Sequence, residues 1–200
     1  MNFNPTNIAA LVIAASFAAG LNLYATVATL GLVAHTNWVA LPPGLEILGS
    51  WWIIGVCTIL FAIEFVADKI PAFDLVWNAM HTFVRVPVAA LVAYRSTTQL
   101  SPQMQILATA AGATIALIAH TSKTAARGAV TPSPEPVSNI ALSTSEDALA
   151  IGLTWLATKH PAIAIGAAST LIVLSVLAIH WLFKAIRTFI QQIRNVFAPS

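Results

Sequence analysis

The sequence predicts an all-α integral membrane protein of about six transmembrane helices, arranged as an inverted three-plus-three repeat with two Pro-containing broken or re-entrant segments. Three observations lead there. The 200 residues are 58% hydrophobic and only 8% charged, whereas soluble domains run near a quarter charged because their surfaces face water. The apolar residues gather into stretches approaching the roughly 20 residues that a spanning helix needs. The two halves also resemble each other in where glycines, prolines and helix-closing signals fall.

The first apolar stretch covers residues 8–34, with Asn22 and a ladder of Thr and Gly marking one face as less lipid-like. No Lys or Arg precedes it; a cleaved signal peptide carries a basic n-region, so this segment is expected to stay as a membrane helix. The second span, 51–67, opens on Trp51 and Trp52, as in an interfacial aromatic belt. The third, 73–94, holds His81, Arg85 and Pro87 in its middle, and the fourth is 103–120. The fifth, 146–158, is short. The sixth, 162–183, is the most uniformly apolar, and a basic amphipathic tail follows over 184–200. Cys57 is the single cysteine, so no intrachain disulfide forms.

Six spans put both termini on one side. The loops at 35–50, 95–102 and 159–161 hold Arg95 and Lys159, and the other side holds Lys69, Lys123, Arg127, Lys184, Arg187 and Arg194. The positive-inside rule then places both termini in the cytoplasm. A net charge of +2 is too small to imply a nucleic-acid partner.

The chain is read as one membrane domain, 1–200, with repeats at 8–97 and 102–183. Gly20 and Gly112 each sit in an Ala/Thr-rich helix and are each followed 22 residues later by a proline, Pro42 and Pro134. The proline segments end at Ser50 and Ser143, and the helices after them close on Asp68 to Ala72 and Thr158 to Ala162. Three-span repeats insert with opposite orientation, and interrupted segments at matching places point to a site at the repeat interface. Two surface loops with prolines explain the same residues.

An ionisable side chain at membrane depth costs roughly 2.5–3.5 kcal/mol on insertion scales, so it needs a partner or a cavity. Glu64 and Asp68 share a face near the end of the second span, and Arg85, one turn after His81, is the natural partner of Glu64. Such a pair serves equally well as a lock between helices. Lys69 and Asp74 flank this constellation. His120, Lys123 and Arg127 form a basic stripe on a helix expected to leave the membrane, suited to a phosphate, a carboxylate, a lipid headgroup, or an anchor. Ser143 and Glu146 have the spacing of a capping box at a helix start, with Asp147, Asn139 and Ser145 lining a cavity beside it. No metal-binding or nucleophile motif is present, and no cofactor or metal is expected.

The segments Glu64 to Asp74, His81 to Pro87, Pro134 to Asn139 and Ser145 to Asp147 resemble the bacterial membrane family catalogued as domain of unknown function 4126, from about Gly20 to Pro161. The resemblance implies a membrane protein and supplies no substrate and no assigned residue. Twin Pro-containing segments are also similar in architecture to undecaprenyl-diphosphate phosphatases and DedA-type lipid carriers, although the phosphatase signatures are not present.

The expected function is a small secondary transporter or permease for a small polar or anionic solute or lipid headgroup. Glu64 and Asp68 would carry a proton or cation, His81 would relay, and Arg85 would be counter-ion. The alternatives are a membrane enzyme or carrier acting on lipid-linked phosphate and a non-catalytic assembly subunit. The expected partners are the lipid bilayer and a small solute, proton or cation, and a homo-oligomer is compatible.

Overall fold

The structure is a computed structural model that describes residues 4–130 and 136–196, with the side chains of 71–75, 129–130, 136, 193 and 196 outside the described set. Among the described residues it is all helical, with no strand. Helix α1 is Pro5–Leu21, containing one π-helical turn at Leu11–Ala15. Helix α2 is Leu23–Thr36, and a 3-10 helix, Pro43–Gly49, precedes α3, Trp51–Ala67. Then come α4 (Pro71–Ser96), α5 (Pro102–Val130), α6 (Pro136–Lys159) and α7 (Pro161–Val196).

Proline starts six of these elements. Its missing N–H falls where the helix has no internal acceptor for it, and its fixed φ presets the first turn. Pro87, inside α4, lacks one ladder N–H, yet the helix stays continuous. Thr26, Thr29, Thr109 and Thr154 return their hydroxyls to the carbonyl four residues back, which satisfies them without water.

Three helices contain segments long and apolar enough to cross a membrane: Val76–Ser96, Pro102–Gly128 and Pro161–Gln192. The 3-10 helix and α3 together form a fourth, bent by 69°. Exposed side chains on these helices include Phe83, Leu117, Val173, Leu174 and Leu177. The core is built largely from alanine: Ala14, Ala18, Ala119, Ala150, Ala164 and Ala168 are all fully buried. Small side chains let helices approach closely where lipid supplies no hydrophobic drive to associate. A Cβ on Gly20 would stand 2.4 Å from the carbonyl oxygen of Ala116, and one on Gly112 2.6 Å from the Ala93 Cβ.

The first span is not one helix. Asn22 takes an extended conformation, φ −143° and ψ 105°, and separates α1 from α2. Beyond it the chain turns back. Ile8 and Val12 of α1 pack near Leu100 and Ala108, at the turn joining α4 and α5. Farther along, Gly20 meets Ala116 and the Leu21 carbonyl meets Lys123, so α1 runs alongside α5 in the same direction. Tyr24 of α2 touches His81, and after α2 ends at Asn37 the Trp38 carbonyl lies 3.3 Å from Lys159 at the α6–α7 junction. Gly44 then lies against the Arg95 carbonyl, back beside the α4–α5 turn. The two helices form a hairpin whose tip is Asn22, and α6 touches both arms.

This arrangement corrects the expectation of a single span over 8–34 with both termini on one side: Pro5 and Lys184 lie at opposite ends of the bundle. The short fifth span is also corrected. Helix α6 has 24 residues, about 36 Å at 1.5 Å per residue, because it starts at Pro136 and not at Ser143. The first Pro-rich segment is broken, as expected. In the second, residues 132–135 lie outside the described residues, and 136–145 are ordinary turns of α6.

Candidate functional site

Asn22, where the hairpin turns, is capped from both directions. Breaking a helix orphans the carbonyls of the first part and the N–H groups of the second. The Leu21 carbonyl accepts from Lys123 Nζ at 3.0 Å. The Asn22 side-chain oxygen accepts from the Ala25 N–H at 2.9 Å, an N-cap for α2. Its Nδ2 donates to Asp147 Oδ1 of α6 at 2.8 Å.

Around this tip lies a buried ionic network drawn from α3, α4, α5 and α6. Arg85 donates to Glu64 Oε1 and, through NH1, to Asn78 Oδ1 at 3.1 Å. Lys123 Nζ reaches Asp68 Oδ2 at 3.0 Å, Glu64 Oε1 at 3.4 Å and Glu146 Oε2 at 3.6 Å. Arg127 bonds Asp68 Oδ2 at 2.9 Å and Glu146 Oε2 at 2.5 Å. Its NH1 also donates to the Asp68 carbonyl at 3.0 Å, beside Asn139 Nδ2 at 3.2 Å. All seven ionisable residues are at most 5% exposed.

The formal charges do not cancel. Glu64, Asp68, Glu146 and Asp147 are four carboxylates against the three cations Arg85, Lys123 and Arg127, among the described side chains. Each of the first three acids meets at least one cation. Among the described residues, Asp147 accepts a hydrogen bond from the neutral Asn22 amide and forms no ion pair. Glu64 Oε2, Asp68 Oδ1 and Asp147 Oδ2 are buried with no hydrogen-bond partner among the described residues. No cluster suited to a metal ion occurs among the described residues.

The two histidines sit at the rim of this network. His120 Nδ1 faces Arg85 NH1 at 3.1 Å, and Nε2 faces Thr82 Oγ1 at 2.6 Å. Because the guanidinium only donates, Nδ1 is the acceptor and the ring proton belongs on Nε2. His81 lies against the Trp77 carbonyl through Nδ1, meets the Tyr24 hydroxyl through Nε2, and stacks on the Trp77 ring. It therefore ties α4 to α2 and makes no hydrogen bond to Glu64, unlike the relay expected of it.

Several expectations change. His120, Lys123 and Arg127 do share a face, but it is buried against α3, α4 and α6 and is no stripe leaving the membrane. With their charges matched inside, Lys123 and Arg127 no longer count toward the positive-inside tally. Ser143 and Glu146 make no capping box, since they lie two turns inside α6: Ser143 is fully buried and Glu146 binds Arg127. Ser145 is exposed, donating to the Leu142 carbonyl, and lines a groove between α6 and α7 with Gly152 and Gly166, whereas Asn139 is buried against the Asp68 carbonyl. Lys69 bonds the Phe65 carbonyl and covers the Phe65 ring. The Asp74 side chain lies outside the described residues. Sequence reasoning missed Tyr24 and Asn78 outright, and it noticed Asn22 without seeing the break.

A family model described as "Domain of unknown function (DUF4126)" matches residues 9–181. The chain belongs to this family. No curated protein and no solved structure matches it.

Proposed function

We propose that the protein is a small secondary transporter for a small polar solute, with its site at the tip of the α1–α2 hairpin. The carrying observation is the broken helix itself: Leu21 and Asn22 deliver a carbonyl and an amide to Lys123 and Asp147 inside an ionic network. Discontinuous helices whose ends meet charged groups near the midplane are how transporter folds build binding sites. Charges held at that depth are expensive and mark solute or ion pathways.

Helix direction supports an inverted repeat in altered form. Helices α2, α3 and α4 run opposite to α5, α6 and α7 respectively, which leaves α1 as an added leading arm. The α1–α2 hairpin is then re-entrant, entering and leaving on the side of the α4–α5 turn. With Lys123 and Arg127 removed from the tally, Lys69, Lys184, Arg187 and Arg194 face two residues, Arg95 and Lys159. The tail end of α7 is therefore cytoplasmic and the α4–α5 turn external.

A second reading, an assembly subunit locked by its ion pairs, is favoured by Arg85, Lys123 and Arg127 each meeting a carboxylate. That same matching leaves the lipid-phosphate reading without an unpaired cation inside the network, among the described residues. The test is purified protein in proteoliposomes, with a panel of small polar and ionic solutes and a trapped pH dye. Solute-dependent flux that Asn22→Ala and Asp147→Asn abolish supports transport. No flux with any solute, together with loss of cellular abundance as the only effect of these variants, selects the assembly reading.

A further inference from the structure

Among the described side chains, the ionic network contains one carboxylate, Asp147, that forms no ion pair. Asp147 is 4% exposed. Its Oδ1 accepts from the Asn22 amide, and its Oδ2 has no partner. The charges that face it are Lys123 on α5, Asp68 and Glu64 on α3, and Lys69 in the α3–α4 turn, with Glu146 beside it on α6. Lys123 is already shared among Glu64, Asp68, Glu146 and the Leu21 carbonyl. Lys69 is directed to Phe65. The hairpin contributes only the neutral amide of Asn22.

A fourth buried anion without a cation is expensive, and such a group neutralises itself by taking a proton. The other three acids each accept from a cation: Glu64 from Arg85, Asp68 from Lys123 and Arg127, and Glu146 from Arg127. We propose that Asp147 is a reversible proton-binding site, its Oδ2 being the atom that is protonated. In uptake, hydronium reaching the hairpin tip transfers H⁺ to Oδ2, an O–H bond forms, and neutral water is left behind. The carboxyl becomes neutral, and among the described side chains the network then holds three carboxylates against three cations. In release, the same O–H bond breaks to water and the carboxylate charge returns beside the tip.

Protonation leaves the Asn22-to-Oδ1 hydrogen bond possible but removes its charge-assisted character, which is worth roughly twice a neutral bond. The hairpin tip is thus held more tightly when Asp147 is ionised than when it is protonated. This assigns the coupling ion, and its role in coupling rests on the transporter reading, whereas the proton site itself does not. It also moves the carrier role from Glu64 and Asp68, which are tied into salt bridges, to Asp147.

Infrared difference spectroscopy between mildly alkaline and mildly acidic buffer, on full-length protein in nanodiscs, reads carboxyl protonation directly. The wild type is expected to gain a protonated-carboxyl band that Asp147→Asn loses and Asp147→Glu retains at a shifted frequency. Should Asp147→Asn not fold, Asn22→Ala keeps the carboxyl and removes its donor, so the band must shift in frequency and appear at higher pH. A band unchanged in Asp147→Asn, unmoved in Asn22→Ala, or missing from the wild type overturns the proposal. So does a spectrum that responds to added sodium and not to acid. If the infrared result holds while no solute drives a proton flux in proteoliposomes, the proton site stands and the transporter reading falls.

Discussion

Lys123 donates to the backbone carbonyl of Leu21 at 3.0 Å, 102 positions earlier in the chain. A lysine on one helix thus does what the next turn of a continuous helix would have done for another. The same ammonium compensates Glu64 and Asp68, so the break in the hairpin and the ionic network depend on one atom.

Replacing Lys123 with Met should therefore leave the Leu21 carbonyl without its donor and withdraw a counter-charge from three buried acids, Glu64, Asp68 and Glu146. Breaking one side of a buried ion pair costs about 3–5 kcal/mol. The expected outcome is a large drop in thermal unfolding temperature in detergent; a drop no greater than that of an exposed-lysine variant such as Lys184→Met contradicts this role.

Asn22→Ala removes both the N-cap of α2 and the donor to Asp147. Loss of an N-cap costs about 1 kcal/mol, so a modest destabilisation is expected, clearly smaller than for Lys123→Met. Comparing the two melting temperatures in one detergent checks the order.

Glu64 and Arg85 should show strong coupling. Glu64→Leu leaves Arg85 a buried charge without its carboxylate, and Arg85→Met leaves Glu64 with only its longer contact to Lys123 at 3.4 Å. The double variant removes both charges and should recover much of the loss, since apolar replacement of a whole buried pair is often neutral. A double-mutant cycle on unfolding free energy reads this coupling, and additive losses would refute it.

Glycine substitutions should separate by position. Gly20→Ala and Gly112→Ala place a methyl within 2.4–2.6 Å of neighbouring atoms, and overpacking of this kind costs about 1–3 kcal/mol. Gly152→Ala and Gly166→Ala enter open space and should be neutral or gain up to about 1 kcal/mol from helix propensity.

The hairpin sets which face each end of the chain reaches. In a Cys57→Ser background, cysteines at Thr6 and Gln99 should react with an impermeant maleimide from the same side. A cysteine at Gln191 should react from the other. Labelling of Thr6 and Gln191 from one face would restore a single crossing over 8–34.

The membrane class was legible because it depends on composition alone. Glu64 and Arg85 were legible as partners because each is embedded in an apolar run with few alternatives nearby. Asn22 was not recognisable as a break, since one amide among 27 largely apolar residues hardly disturbs the run and carries no Pro or Gly beside it to signal a turn. Lys123 and Arg127 were misplaced for a related reason. Their spacing names a helix face, but only the packing of α3, α4 and α6 shows that the face is inward. The Ser143–Glu146 spacing misled because Pro136, seven residues before Ser143, starts the helix first.

The hairpin carries no Asp, Glu, Lys or Arg; the first in the chain is Glu46. During synthesis nothing in this segment tells the insertion machinery how deep it should lie or which way it should face. Its tip meets Lys123 and Asp147 only 102 and 125 residues later. The polar groups at the tip therefore have their charged partners only once α5 and α6 are in place.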